Sequence, residues 1–342
     1  MGFDRIRGQA RALRLIRRAL EAERLPHALL FSGPDGVGKR RTALELAKAL
    51  NCAAPAPERG ACDACRSCRL ADRETHPDVL VVAPESRSLK IDQIREVERH
   101  LALSPYAGRR RVAIVDAAES MTPQAQNAFL KTLEEPPTGA VLILVSPAPT
   151  SLLSTVRSRC QEVRFGPLPD EVVAALLTED GIAPEDARRA AELGAGSLTL
   201  ARAWAERFPR EVQDAVLGET RASLGSPGRA LALAKRLHEE YKGRRDLVPW
   251  LLLLLATWAR DLARPLVNAG ARGFIRCPLA GAGAAEGTGL EHGAMSLRAA
   301  LALYDAVAAA QVALDSNANL QLALEAMLLR MHAALRDHAA SR

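Results

Sequence analysis

Residues 33–40 read GPDGVGKR, a string that poses a specific chemical question. In a phosphate-binding loop of pattern G-x-x-x-x-G-K-[ST], glycines let backbone N–H groups approach phosphate oxygens, the lysine reaches the β- and γ-phosphates, and the final hydroxyl holds magnesium. Gly33, Gly36, Gly38 and Lys39 keep the first two functions, but Arg40 stands where the hydroxyl is required. Thr42 does not replace it, because side chains two positions apart on a helix point in different directions. The second half of such a site is an acid at the end of a buried strand. Arg111–Val115 (RVAIV) leads into Asp116, which suits that role, yet Ala117 follows where a hydrolase places a glutamate to orient water. Glu119 lies further along and needs another backbone path to serve as base. Arg40 and Ala117 together predict no useful hydrolysis and no bound magnesium. Whether ATP or ADP binds is left open, since Lys39 and the loop amides attract phosphate without a metal.

A second cluster is built for a metal. Cys52, Cys62, Cys65 and Cys68 follow C-x9-C-x2-C-x2-C, and three cysteines at consecutive three-residue steps are not explained by chance thiols in a Pro/Ala-rich loop. Four thiolates at this spacing predict a structural Zn2+ site, closed to substrate and contributing folding energy to its loop. Disulfides are not expected in a reducing compartment. Cys160 and Cys277 stand apart and read as small buried residues.

These residues need elements to place them. His27–Ser32 reads as a short buried strand before the phosphate loop and Arg41–Leu50 as a helix after it, the context the motif requires. Further strands are expected at 79–83, 111–115, 141–145 and 162–165, separated by helical stretches, which predicts an α/β parallel sheet covered on both faces. In Ile91–Leu103, the apolar residues Ile91, Ile94, Val97 and Leu101 fall on one helical stripe. Gly166-Pro167-Leu168-Pro169 punctuates the end of the sheet. Short helices with glycine breaks follow to about residue 205, and beyond Phe208 the apolar pattern is helical throughout. Residues 280–293, rich in glycine, are expected to form a mobile loop.

The chain has 342 residues, enough for two or three domains, and 48% hydrophobic content, enough for real cores. No charged-then-apolar signal opens it, and Leu247–Ala259 is shorter than the ~20 apolar residues of a membrane-spanning helix, so a cytoplasmic protein without a membrane partner is expected. A net charge of +6 suits contact with nucleic acid or an acidic partner, although scattered arginines on helix faces serve equally for solvation.

The runs at 8–38, HPDVL at 76–80, KIDQIREV at 90–97, NAFLKTLEEPP at 127–137 and SRC at 158–160, with the cysteine cluster inserted after the phosphate-loop helix, closely resemble the clamp-loader subunits of bacterial DNA polymerase III, of the AAA+ class. The resemblance is detailed over the first half and general after residue 205. It implies an AAA+ phosphate-loop domain at 1–166 with a zinc-binding insertion near 52–70, a small helical lid at 167–206 and an all-α collar for oligomerisation at 207–342. Motor subunits of the family carry a hydroxyl after the loop lysine, an acid–glutamate pair and a sensor arginine after Gly-Ser-Leu. Arg40, Ala117 and Thr199 occupy those places here, a pattern that resembles the non-hydrolysing stator.

The resemblance further implies a hetero-pentamer with gamma/tau and delta subunits, acting on a sliding clamp and primer-template DNA during DNA replication. It also implies that Arg159 of SRC reaches across a subunit boundary to a neighbour's ATP, with Arg157 in support and Ser146 at the sensor position. Read without it, Arg159 is a surface or strand-cap arginine. Two other readings compete with the stator: an active gamma/tau-like clamp-loader ATPase, opposed by Arg40 and Ala117, and a zinc-dependent DNA-binding module. The cysteine cluster lacks the interleaved aromatics and dense basic flank of the latter, with Arg59, Arg66, Arg69 and Arg73 alone nearby.

Overall fold

Apolar runs flanked by turn residues form the strands, and amphipathic runs between them form the helices, in a computed structural model that describes residues 2–54, 60–86, 88–267 and 296–340. A 3-10 turn, Gly2–Arg5, precedes α1 (Ala10–Glu21), which buries Ala12, Leu13 and Ile16 and turns Arg11, Arg14 and Arg18 outward. There follow β1 (Ala28–Ser32), α2 (Lys39–Asn51), α3 (Arg66–Asp72), β2 (Val79–Val82), α4 (Ile91–Ala102), β3 (Arg111–Val115), α5 (Pro123–Glu134), β4 (Ala140–Ser146), α6 (Ser154–Arg157) and β5 (Gln161–Arg164). All strand pairings are parallel, in the order β2-β3-β4-β1-β5. β1, β3 and β4 are buried at every position, as expected of strands covered on both faces. The expected strands are all present, with ends shifted by a residue at β1, β2, β4 and β5.

In this register Ser32 at the end of β1 lies beside Ser146 at the end of β4, and Val115 at the end of β3 lies beside Leu144. The phosphate loop, Ser146 and Asp116 therefore leave the sheet at one edge, where ligands bind in open α/β folds. Helix α4 ends one residue earlier than expected and buries Ile94, Val97 and Leu101 against the sheet, with Ile91 half-buried. Helix α5 starts at Pro123 behind Thr122, whose hydroxyl accepts the Ala125 N–H at 3.2 Å, and stops before Pro136-Pro137.

Asp78, wholly buried, organises the turn between α4 and β3. Its carboxylate accepts the backbone amides of Tyr106 and Ala107 at 2.7 Å and of Gly108 at 2.5 Å, and Arg111 Nε lies 3.3 Å away. Burial alone would raise the Asp78 carboxyl, but the three amides and Arg111 outweigh it and hold it below the usual carboxylate range.

The remaining helices are α7 (Asp170–Glu179), α8 (Pro184–Gly194), α9 (Leu198–Arg207), α10 (Arg210–Ser223), α11 (Pro227–Tyr241), α12 (Val248–Val267), α13 (Leu297–Asp315) and α14 (Leu320–Ala340). The chain divides into two compact units, Met1–Val173 with Ala195–Thr199, and Ala174–Gly194 with Leu200–Arg342. The segment expected as a lid, 167–206, thus contributes to both. In the second unit α11 packs on α14, and α13 packs on α12 and α14. Trp204 sits at the centre of an aromatic group, with ring centroids 5.1 Å from Trp250 and 6.0 Å from Phe208.

From Val248 on, the apolar run expected at Leu247–Ala259 belongs to a longer helix, α12, of 20 residues, because RDLARPLV continues the helical pattern beyond it; Leu247 closes the 3-10 turn before it. By length and composition alone α13 could cross a membrane, with a mean hydropathy of 1.4, yet Leu303, Ala306, Val307 and Ala310 are buried on its packed face. A core helix passes the same test. Cys277 and the glycine-rich stretch 280–293 lie outside the described residues.

Candidate functional site

The phosphate loop is shaped by glycine at two close approaches. Gly33 (φ +139) lies against the carbonyl oxygen of Phe165 and Gly36 (φ +71) against Ser197 and Thr199, so a Cβ at either position would collide with its neighbour. The Gly36 carbonyl accepts the Leu198 N–H at 3.0 Å, which ties the loop to the Ala195–Thr199 turn of the same unit. Helix α2 starts at Lys39 with no side chain capping it, so its first-turn amides keep their preference for an anion.

Lys39 is buried and folds onto its own loop. Its Nζ donates to the carbonyls of Gly33 at 2.7 Å and Pro34 at 2.6 Å, with Asp35 Oδ1 3.6 Å away. Burial lowers its pKa, and Asp35 offsets part of that shift. Thr42 Oγ1 donates to the Gly38 carbonyl at 2.8 Å, so it stays within the helix, as the two-residue offset requires.

Arg40 reaches Asp116, the acid that a magnesium site would use, and also Glu74. Its Nη2 donates to both carboxylate oxygens of Glu74, at 2.7 and 2.8 Å, and its Nε lies 3.4 Å from Asp116 Oδ2. A delocalised monocation therefore bridges Asp116 and Glu74. Asp116 Oδ1 also accepts the Ala117 N–H at 3.1 Å. Ala117 takes a left-handed conformation (φ +50), after which Glu119 falls in the 3-10 turn Ala118–Ser120 and keeps a buried Oε2 without a hydrogen-bond partner. At the end of β4, the buried Ser146 accepts the Ala148 N–H at 3.1 Å through Oγ.

Arg159 stands on the turn after α6. Its Nη2 pairs with Glu134 Oε1 at 2.6 Å and its Nη1 donates to the Thr155 carbonyl at 3.0 Å. Cys160, next in the chain, is half-buried against the sheet core, and burial pushes its thiol up to about 12.

The metal-binding expectation is met in geometry. The Sγ atoms of Cys52, Cys62, Cys65 and Cys68 all lie within 4.8 Å of one another, with Cys62 and Cys68 4.0 Å apart. A tetrahedral zinc with bonds of about 2.3 Å needs sulfurs about 3.8 Å apart, so the cluster can hold such an ion with small adjustments. Backbone amides of Cys62, Cys65 and Cys68 each donate, at 3.4 Å, to the sulfur of the preceding cysteine in the set. Such bonds favour thiolates. For Cys62 the amides of Ala64 and Cys65 lower the thiol; for Cys65, burial opposes but amides of Ala53 and Cys68 prevail and bring it down to about 6. Burial pushes Cys52 and Cys68 the other way.

The cluster is bound to α2 by charge. Lys48 Nζ, wholly buried, lies 2.6 Å from Asp63 Oδ1, 2.8 Å from Asp72 Oδ1 and 3.1 Å from Glu45 Oε2. Burial opposes the ammonium, but these three acids outweigh it and raise Lys48 to about 12. From α3, Ser67 Oγ meets His76 Nε2 at 2.9 Å, while His76 Nδ1 accepts the Asp78 N–H at 3.0 Å. Of these residues, Glu74 and Lys48 carry no sequence signal of their role, and Asp78 lies within the run HPDVL. Glu134 lies within the run NAFLKTLEEPP, whose resemblance is carried by the run as a whole.

Residues 8–169 match the family model described as DNA polymerase III, delta subunit. That match spans just under half of the chain. The chain is 35% identical to the DNA polymerase III subunit delta' of Bacillus subtilis, over 54% of this chain and 56% of that protein, and 34% identical to the delta' of Escherichia coli, over 62% and 56%. It is also 36% identical to the DNA polymerase III subunit gamma/tau of Mycobacterium tuberculosis, over 54% of this chain and 33% of that protein. The chain spans about half the length of the delta' relatives it matches. The matched segment contains both the phosphate loop with Arg40 and the four cysteines.

Proposed function

We propose that this protein serves as the delta prime stator of a DNA polymerase III clamp loader, a subunit that does not split ATP itself. In this role it joins gamma/tau and delta subunits in a hetero-pentamer in the cytoplasm, which loads a sliding clamp onto primer-template DNA. Arg159 is presented to ATP held by an adjacent motor subunit, where a positive charge supplied in trans stabilises the transition state. The cysteine cluster holds structural zinc. The chain is read as three working parts, an AAA+ domain at 1–166, a lid at 167–206 and a collar at 207–342.

The observation that carries the reading is the place of Arg40. Its guanidinium spans Asp116 and Glu74, so the acid that would bind magnesium already has a cation, and Ala117 supplies no base for water. Lys39 remains available to a phosphate only by giving up the Gly33 and Pro34 carbonyls.

The isolated protein is expected to release no phosphate from ATP. Turnover by the isolated chain that collapses on Lys39→Ala would select the gamma/tau-like reading, which the retained Gly33, Gly36, Gly38, Lys39 and Asp116 favour. In a loader reconstituted with gamma/tau and delta subunits, Arg159→Ala is expected to slow hydrolysis at the adjoining site by about 10³-fold or more. An unchanged rate there would remove the trans arginine.

A further inference from the structure

Arg159 is held before any neighbour arrives. The last residue of α5, Glu134, places Oε1 2.6 Å from Nη2, and the Thr155 carbonyl takes Nη1 at 3.0 Å. Both partners are fixed in the fold. Leu133, beside Glu134, is buried in the sheet core at 2% exposure, and Pro136 ends the helix just beyond. The Thr155 carbonyl belongs to the short helix α6, whose Val156 is wholly buried. On the far side of Arg159, Cys160 packs against the same core and its N–H bonds the Arg157 carbonyl at 3.2 Å. The guanidinium is thus bridged between the ends of two anchored helices, and the C-terminal end of α5 adds the negative pole of its dipole. A guanidinium has five N–H donors in a rigid fork, so two such bonds fix its plane and leave donors to offer a phosphate.

We infer that Glu134 is the positioning residue for Arg159, holding the guanidinium in the orientation in which it meets the neighbouring subunit's ATP. The inference rests on the trans role proposed for Arg159. A long side chain that must be ordered at each encounter loses rotamer freedom at that moment, and one already fixed does not. The pair is partly exposed, with 36% of the Arg159 side chain and 52% of the Glu134 side chain accessible, so the contact is open to an approaching partner.

The test uses the reconstituted loader with DNA-stimulated ATP hydrolysis as readout. Glu134→Gln keeps size and polarity but removes the charge. It is expected to lower kcat by about 10- to 100-fold with KM little changed, as for an interaction made in the transition state. Glu134→Asp should recover part of the rate. In the Arg159→Ala background, Glu134→Gln should have no further effect, because it acts through the arginine. Loss of the same size in that background would show a structural role and overturn the inference. So would full activity of Glu134→Gln where Arg159→Ala is inactive. An Arg159→Ala loader with unchanged turnover would instead defeat the trans arginine itself, and the inference with it. Equal thermal midpoints of the free variants guard against misfolding.

Discussion

At the scale of single residues, one substitution changes what the phosphate loop can hold. A hydroxyl at position 40 would coordinate a divalent ion beside Asp116, whereas Arg40 brings its own charge to that acid and to Glu74. Arg40→Ser should therefore make nucleotide binding depend on magnesium, with ATP at least about tenfold tighter in its presence, equal to about 1.4 kcal/mol. The wild type should show no such dependence; titration calorimetry with and without magnesium decides it. Asp78 gives a second prediction of another kind. Asp78→Asn leaves Arg111 without its buried partner and weakens three amide bonds, and should cost about 3–5 kcal/mol in denaturant titrations at neutral pH. Because the folded carboxyl is held below its unfolded value of about 3.9, its contribution is present above that pH and is lost as pH falls through the folded value. The variant's stability should accordingly change less with acidification below pH ~4 than the wild type's. The phosphate loop and the arginine within it were legible from residue types, but Arg40's partner was not: Glu74 lies 34 residues away, on a left-handed turn that no local pattern announces.

Among the elements, the inserted cysteine module and α2 act as one piece. Lys48 on α2 is clasped by Asp63 within the cysteine segment and Asp72 at the end of α3, and Arg5 also approaches Asp63, at 3.3 Å. Metal removal, or the pair Cys62→Ser and Cys65→Ser, is expected to release about one equivalent of zinc and to expose residues 60–72 to proteolysis. Peptide mapping of the first cuts, set beside metal analysis, checks both parts; cuts elsewhere with residues 60–72 intact would separate the module's order from its metal. The strands were legible to within a residue because apolar runs bounded by turn residues leave few alternatives, and the cysteine spacing announced its cluster. What the pattern did not convey were the ties between elements, such as Leu198 N–H to the Gly36 carbonyl, because they join residues far apart in sequence through backbone atoms that carry no side-chain signature.

Across the whole molecule, the decisive property is that each unit has its own core. The first is the parallel sheet and its covering helices; the second centres on Trp204, which is wholly buried against Trp250 and Phe208. Two cores need not melt together, so a change confined to one should separate their transitions. Trp204→Ala removes one of the largest buried side chains of the second core and should destabilise that unit by about 3–5 kcal/mol. Its local unfolding should then precede that of the first unit. Hydrogen exchange read peptide by peptide provides the check: amides of α10, α11 and α14 should lose protection in the variant, while those of β1, β3 and β4 retain theirs and the metal content of the cysteine cluster is unchanged. A uniform loss of protection over both sets would mean that the two cores fold as one cooperative body, and that strain introduced among the C-terminal helices reaches the phosphate loop and Arg159 directly.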